Sequence, residues 1–176
     1  MTSVVSSLTI NQIRQLKPEV IREWTTEDVA SLSTGQLGAL SSAQVAALEA
    51  EDIGVLGARI SAISRGAILG LSLEHIGVLE KFAIESLTTG QVGALSTAQL
   101  GALTSDQAEA LTPGQINMLS AAQLAALGPE EAATFSEEDM AAISYKSVQG
   151  LSPAAIAALS TDQIASLAPL SLAGLT

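Results

Sequence analysis

The chain has 176 residues, of which 48% are hydrophobic, a net charge of −11 and no cysteine. Its seven basic residues are scattered, which argues against nucleic-acid binding, because that binding depends on clustered cations. The lack of cysteine excludes disulfides and thiolate metal sites, and no apolar stretch reaches the roughly 18 residues of a membrane helix, so we expect no membrane insertion.

An eight-residue pattern recurs almost from end to end of the sequence. It reads Ser/Thr, Thr/Ser/Pro, a variable residue, Gln/Glu/Asp, an aliphatic residue, a small residue, Ala and Leu. We place Leu8, Leu16 and Trp24 at position eight of the first three units. The frame then continues to Leu175 and gives twenty-two units, which we call octads. One unit, 57–63, is a residue short. Such repetition predicts a stacked repeat architecture.

The regularity of the octads varies along the chain. Residues 1–32 and 57–87 diverge from the pattern, whereas 88–127 contains five consecutive regular octads, TTGQVGAL, STAQLGAL, TSDQAEAL, TPGQINML and SAAQLAAL. The apolar positions five and eight persist through all three regions. We therefore expect one elongated domain spanning 1–176.

Each octad carries the signals of a helix start. Position one is Ser or Thr in fifteen octads, and Gln, Glu or Asp stands three residues later in thirteen, which is the spacing of a capping box. The preceding Leu and the aliphatic residue at position five, such as Leu95 and Leu100 around Ser96, have the spacing of a hydrophobic staple. The sequence thus predicts a new helix in every octad.

The prolines test this frame independently. All five fall at octad position two, the first helical residue, where proline is tolerated because its missing N–H would have no partner anyway; they are Pro18, Pro113, Pro129, Pro153 and Pro169. A single long helix would carry these prolines internally, and its Leu column would wind around the helix axis. We therefore predict an all-α superhelical solenoid of very short helices, about six residues each, one per octad.

Glycines recur at fixed octad positions, as at Gly35, Gly38, Gly90, Gly93 and Gly101. We expect them to loosen short turns or to permit close approach of backbones. No phosphate-binding glycine motif accompanies them.

Residues that could carry chemistry are few. His75 is the only histidine and holds the position usually given to the capping Gln, so we interpret it as a substitute cap or a surface residue. A multi-histidine metal site is therefore excluded. We expect no cofactor, no metal and no enzymatic activity.

The diverged stretch 57–87 holds the basic-type residues Arg59, Arg65, His75 and Lys81. One interpretation makes these four residues a partner-binding patch for a protein. The alternative is drift in a repeat that needs only its Leu and Ile columns, and we favour the alternative.

The last residues, SLAPLSLAGLT, are apolar and almost uncharged, whereas solitary solenoids usually have polar caps at their ends. Either the chain is a segment of a longer array, or its ends stack on other copies, in which case an open head-to-tail contact would form filaments. The first octads, with Arg14, Lys17 and Arg22 among acidic residues, look more like a cap.

The run TTGQVGALSTAQLGAL resembles the short Leu-Ser/Thr-x-x-Gln repeats of large bacterial surface proteins of the haem-utilisation or adhesion type. A more distant likeness is to the short-helix repeats of the mesothelin and stereocilin family, as in SPAAIAAL and GPEEAATF. These resemblances imply a superhelical structural or adhesive module. The haem part of the label is not expected to transfer, because the chain offers His75 alone and no aromatic-rich pocket.

The function expected from these features is a structural or adhesive module, bacterial and extracellular or on the cell surface, that self-associates through its apolar ends or belongs to a longer array. The first twenty residues show no classical signal peptide. The alternative function is a solenoid that presents a groove to a protein or peptide partner.

Overall fold

The computed structural model of the chain describes residues 4–175, and all secondary structure in that range is helical. The chain divides into two compact units, Met1–Leu87 and Thr88–Thr176. Each unit is an all-α solenoid of octads, which confirms the predicted fold class. The predicted single elongated domain is a statement about how the two units are arranged, and it stays a prediction.

The α-helices of the first unit are four to six residues long. Most octads contribute one α-helix, and three contribute a 3-10 helix instead. The α-helices are Ile10–Gln15, Pro18–Ile21, Thr26–Ser31, Thr34–Ala39, Ser42–Val45, Ala50–Gly54, Leu73–Gly77 and Lys81–Ser86, and the 3-10 helices are Val4–Ser7, Gly57–Ala62 and Ile68–Gly70.

The second unit follows the same rule of one short helix per octad. Its last described octad adds a 3-10 turn after the α-helix. The α-helices are Thr89–Val92, Thr97–Leu100, Ser105–Glu109, Pro113–Asn117, Ala121–Ala126, Pro129–Ala132, Glu137–Ala142, Pro153–Ala158, Thr161–Ser166 and Pro169–Leu172, and the 3-10 helices are Val148–Gly150 and Ala173–Leu175.

In octads such as 33–40, the helix ends before position eight, and the chain turns at the step to the next position one. Leu40 (φ −62°, ψ 139°) and Ser41 (φ −83°, ψ 165°) are both extended, so the chain turns before the next helix begins. Proline is the first helical residue in every octad that contains it, as predicted; for example, Pro113 begins the helix Pro113–Asn117. Helices this short are not stable alone, and they depend on packing between octads.

The core of each unit consists of the residues at positions five and eight. Within octad 33–40, for example, Leu37 and Leu40 are buried, and the corresponding residues of octad 96–103 are Leu100 and Leu103. Position four is also buried in many octads although it is polar, as at Gln36 and Gln99. The buried polar column therefore runs beside the two apolar ones.

Helices that pack against each other across the solenoid belong to octads three apart. In the first unit, Ile10–Gln15 packs on Thr34–Ala39. In the second unit, Pro113–Asn117 packs on Glu137–Ala142. The solenoid of each unit therefore completes a turn in about three octads.

The missing residue of octad 57–63 is compensated by the backbone conformation of its first residue, Gly57. Gly57 has a φ of +52°, the only positive φ in the described part of the chain. The preceding Leu56 is helical (φ −68°, ψ −35°), whereas other residues at position eight that end helices, such as Leu40, are extended. A left-handed glycine thus makes in one residue the turn that elsewhere takes two. A Cβ at Gly57 would also lie 2.7 Å from the Phe82 ring.

Candidate functional site

The side chain at octad position four closes a capping box at the start of each regular helix. In octad 33–40, the Gln36 Oε1 accepts a hydrogen bond from the Ser33 N–H (2.7 Å), and the Ser33 Oγ accepts one from the Gln36 N–H (3.3 Å). This confirms the predicted helix starts. The same arrangement joins Thr9 to Gln12, Thr25 to Asp28, Ser41 to Gln44, Ser72 to His75, Thr88 to Gln91, Ser96 to Gln99, Thr104 to Gln107, Thr112 to Gln115, Ser120 to Gln123, Ser136 to Asp139 and Ser160 to Gln163.

The amide nitrogen of the same glutamine makes a second contact, across the solenoid. The Gln36 Nε2 donates to the carbonyl of Leu8 (2.8 Å), and the Gln123 Nε2 donates to the carbonyl of Leu95 (2.8 Å). Gln163 repeats this contact with Phe135 (2.7 Å). In each case the acceptor is the position-eight residue four octads earlier. We call this row of contacts the ladder.

The ladder uses a carbonyl that its own octad leaves without a partner. Leu16, for example, donates its N–H back to Ile13 (3.2 Å), but its extended backbone (φ −65°, ψ 136°) turns the carbonyl out of the helix, where Gln44 reaches it. Buried backbone carbonyls need a donor, and an unpaired one costs about 1–3 kcal/mol. Position four therefore joins two octads: its oxygen begins one helix, and its nitrogen caps the end of another.

A family comparison matches this repeat. The model of the ALTTAQ repeat matches residues 25–58, 83–117 and 133–169, which together make up more than half of the chain. The chain belongs to the ALTTAQ repeat family. No curated protein matches the chain significantly.

The six letters of the family name correspond to positions seven, eight and one to four of the octad. Ala94-Leu95-Ser96-Thr97-Ala98-Gln99 reads this motif with Ser in place of the first Thr. The motif thus contains both members of the ladder, the position-eight Leu and the position-four Gln. The resemblances to bacterial surface proteins and to mesothelin-type repeats are not tested by this family match.

Arg59 and His75, two residues of the predicted patch, are members of the ladder. Arg59 donates from its guanidinium to the carbonyls of Ala30 (2.9 Å) and Leu32. Both residues stand at position four, counted back from the end of the octad. Each acceptor lies 27 residues earlier instead of 28, because the seven-residue octad 57–63 contains Arg59 and lies between Leu48 and His75. In an ALTTAQ octad, Arg and His can therefore replace the bridging Gln.

His75 reproduces both functions of the glutamine with its two ring nitrogens. The Nδ1 lies 3.1 Å from the Ser72 N–H, which donates to it, so the proton is on Nε2, which lies 3.0 Å from the Leu48 carbonyl. The side chain is buried, with 4% exposed. The interpretation as a substitute cap is confirmed, and the alternative of a surface residue is wrong, because the ring must reach the preceding turn.

Arg65 and Lys81, the other two residues of the predicted patch, are exposed. The structure thus divides the four residues into two that bridge turns and two that face solvent. A partner-binding role for them stays a prediction. Among residues 4–175, no group of three or more His, Cys, Asp or Glu side chains is arranged to hold a metal ion, and no described helix has the length and apolarity needed to cross a membrane.

Some octads carry an acidic residue at position four. Burial raises the pKa of the Asp52 carboxyl above its ordinary value, and repulsion from Glu49 and Glu51 adds to this effect. Asp139 caps Ser136 through Oδ2 (3.0 Å), while its buried Oδ1 has no hydrogen-bond partner among the described residues. A carboxylate can close the capping box, but without a proton it cannot donate to the ladder.

Sequence reasoning found the cap and missed the bridge. The signal that could have found it is the choice of amide at position four. Nine octads have Gln there and four have an acidic residue, although the chain contains eighteen acidic residues and only a few other Gln. A cap needs only an acceptor, and negative charge is favoured at a helix start, so the excess of Gln indicates that its N–H group is also used.

Proposed function

We propose that this chain is a non-enzymatic structural or adhesive module whose octads stack end to end on further ALTTAQ repeats. The observation that carries the proposal is the ladder. Its acceptor is a backbone carbonyl and its donor is a side chain at a fixed octad position, so one turn of the repeat is complementary to any other. The same contact that joins turns within a unit could join turns of different chains.

Gln12 offers an unused ladder donor in the first unit. Its Oε1 accepts from the Thr9 N–H (2.8 Å), as in other capping boxes, and its side chain is exposed. The Gln12 Nε2 donates to no described residue. This nitrogen has the same chemistry as the other ladder donors, so it can bind a position-eight carbonyl of a further repeat.

The last octads of the second unit offer an apolar surface. Leu170 is 74% exposed and Leu172 is 39% exposed. Beside them, Leu151, Ile156 and Leu175 line a cavity of about 330 Å³. Leu151, Ile156, Leu172 and Leu175 stand at the core positions five and eight, which a following turn of the repeat would bury, and Leu170, at the variable position three, extends this apolar surface.

The remaining parts of the proposal rest on chemistry and resemblance. A non-enzymatic role is supported by the use of the buried position-four side chains as caps and bridges. The proposed location, on or outside a bacterial cell, rests on the resemblance of the octads to those of bacterial surface proteins.

Assembly state tests the proposal directly. We expect the wild-type chain to form concentration-dependent oligomers or fibres, measured by light scattering and negative-stain imaging of the same samples. Leu170→Glu should abolish this assembly, because it places a charge on the apolar end. The matched control is Met118→Glu, since Met118 is 51% exposed in the second unit but lies away from the last octads. Equal loss in both variants would contradict end-to-end stacking.

A second candidate function is binding of a protein partner by the first unit. The stretch 65–82 contains exposed Arg65 and Lys81 together with exposed apolar side chains. The apolar side chains are Leu69, Leu73, Val78 and Phe82, each at least 40% exposed. A wild-type chain that stays monomeric at every concentration would favour this alternative.

A further inference from the structure

Four consecutive octads of the second unit lack a ladder donor. They span residues 128–159, and their position-four residues are Glu131, Asp139, Ser147 and Ala155. Ser147 is the only one with a hydroxyl, and it bonds within its own octad, to the Ser144 carbonyl (3.1 Å) and the Ser144 hydroxyl (2.8 Å). The ladder is thus interrupted for slightly more than a full turn.

The interruption leaves four buried residues without a partner for their carbonyls. In the ladder register, these residues are Leu103, Leu111, Leu119 and Leu127, each no more than 5% exposed. Each donates its N–H within its own octad, but no group of the described residues donates to its carbonyl. The acceptors on either side of this row, in Leu95, Phe135 and Ile143, all have donors, at 2.7–2.8 Å.

Asp139 makes the mismatch worse. Its Oδ1 is the buried side-chain oxygen without a hydrogen-bond partner in the described residues, and the ladder register places it opposite the Leu111 carbonyl. In Gln octads a donor lies at this point. Two acceptors across a buried contact repel each other.

Contacts at the periphery still join the two sides. Ser105 Oγ donates to Glu131 Oε1 (3.1 Å), and Asn117 Nδ2 donates to the Ala142 carbonyl (2.9 Å). The apolar columns also continue, since Phe135, Met140 and Val148 remain buried. The octads are therefore packed but are not joined by hydrogen bonds in their interior.

We infer that the second unit contains a built-in seam between octads 96–127 and octads 128–159, and that the solenoid opens there first. Opening at the seam separates the row of unpaired carbonyls from the acidic octads. It breaks fewer hydrogen bonds than opening at the bridges of Gln163 or Ser171 would break. Regions that open first are those with the fewest buried polar contacts. In a structural module, this seam is the point at which the solenoid yields to load.

Hydrogen exchange of the full chain, followed by mass spectrometry of peptides, tests the seam. We expect the amides of 128–175 to exchange together, as one block, and faster than those of 96–127. Gradual exchange that decreases from residue 175 inward, without a step near 128, would overturn the inference, because it would show fraying of the end instead of opening at a seam.

A pair of variants separates the seam from other causes. The double variant Glu131→Gln and Asp139→Gln restores two ladder donors, and we expect exchange of 128–159 to slow by roughly fivefold for each restored bond. The control, Glu130→Gln and Glu138→Gln, removes the same charges at exposed neighbouring positions. An equal effect of both double variants, or no effect of the first, would overturn the inference.

Discussion

The two units have the same apolar columns and differ in how the ladder joins their turns. In the first unit, the carbonyls of Leu8, Leu16, Leu32 and Leu48 accept from position four, and gaps occur singly between them. In the second unit, the gaps are consecutive. Isolated gaps leave a bridge on each side, whereas consecutive gaps remove every interior bridge from one turn.

This difference separates two properties that the octad encodes. Positions five and eight determine that the chain folds as a solenoid, because they are buried in both units whether or not the ladder is complete. Position four determines how strongly one turn is held to the next. A repeat can therefore vary its local stability along the chain without changing its fold.

The largest effect is expected from Gln44→Glu, which would give the first unit two adjacent gaps. Gln44 is 2% exposed, and its Nε2 donates to the carbonyls of Ile13 (2.7 Å) and Leu16 (2.8 Å). Glutamate keeps the capping oxygen but puts an unpaired buried charge against both carbonyls, which we expect to cost about 3–5 kcal/mol. Chemical denaturation at neutral pH measures this loss.

Gln12→Glu is the matched control for that substitution. Gln12 caps Thr9 in the same way, but its side chain is exposed and makes no bridge within the described residues. Glutamate is a good capping residue near a helix start, so stability should change little. If the two variants lose the same stability, position four acts only as a cap and the ladder contributes nothing.

The local half of this architecture could be predicted from the sequence. The Ser33 and Gln36 pair and proline at the first helical residue are signals within one octad, and their physical causes act over three or four residues. The ladder could not be predicted in the same way. Its partners, such as Gln36 and Leu8, are 28 residues apart, and the number of octads in a turn depends on how short helices pack in three dimensions.

The short octad shows the same limit. The missing residue in 57–63 is visible in the sequence, and the break in the pattern there is real. Its structural solution is a left-handed Gly57 after a helical Leu56, with the Phe82 ring, 25 residues later in the chain, packed where a Cβ would lie. His75 was correctly interpreted as a cap, but its burial depends on the Leu48 carbonyl in the preceding turn.

A smaller loss is expected from Gly70→Ala and Gly150→Ala, one in each unit. Both glycines stand at position seven, in octads whose position four lacks a bridge. A Cβ at Gly70 would collide with the Ser42 carbonyl oxygen, and one at Gly150 would collide with that of Ala121. Because backbone must move, we expect each to cost about 1–3 kcal/mol in thermal or chemical unfolding.

Gly77→Ala is the control for both glycine substitutions, because a Cβ there has no atom within 4 Å. Alanine favours a helix over glycine, so a gain of up to about 1 kcal/mol is expected. Losses at Gly70 and Gly150 of similar size would confirm that the two units pack alike where the ladder is absent. A loss in only one unit would show that the two units also differ in how their octads pack, and not only in the ladder.

The smallest effect is expected from Asp52→Asn, which fills a single gap in the first unit. Burial raises the pKa of the Asp52 carboxyl, so the folded chain holds this proton more tightly than the unfolded chain does. Stability is then lost as the pH rises from the ordinary pKa through the raised one, and the full cost is present above it. Asparagine removes this cost, keeps the cap to Glu49 and can donate to the Trp24 carbonyl, for a gain of about 1 kcal/mol at pH 7. Near pH 3, where aspartate is protonated and can itself donate, the variant and the wild type should have the same melting temperature.

A gain that is independent of pH, or an equal gain from Asp162→Asn at an exposed position, would contradict the assignment of position four as the bridge between turns.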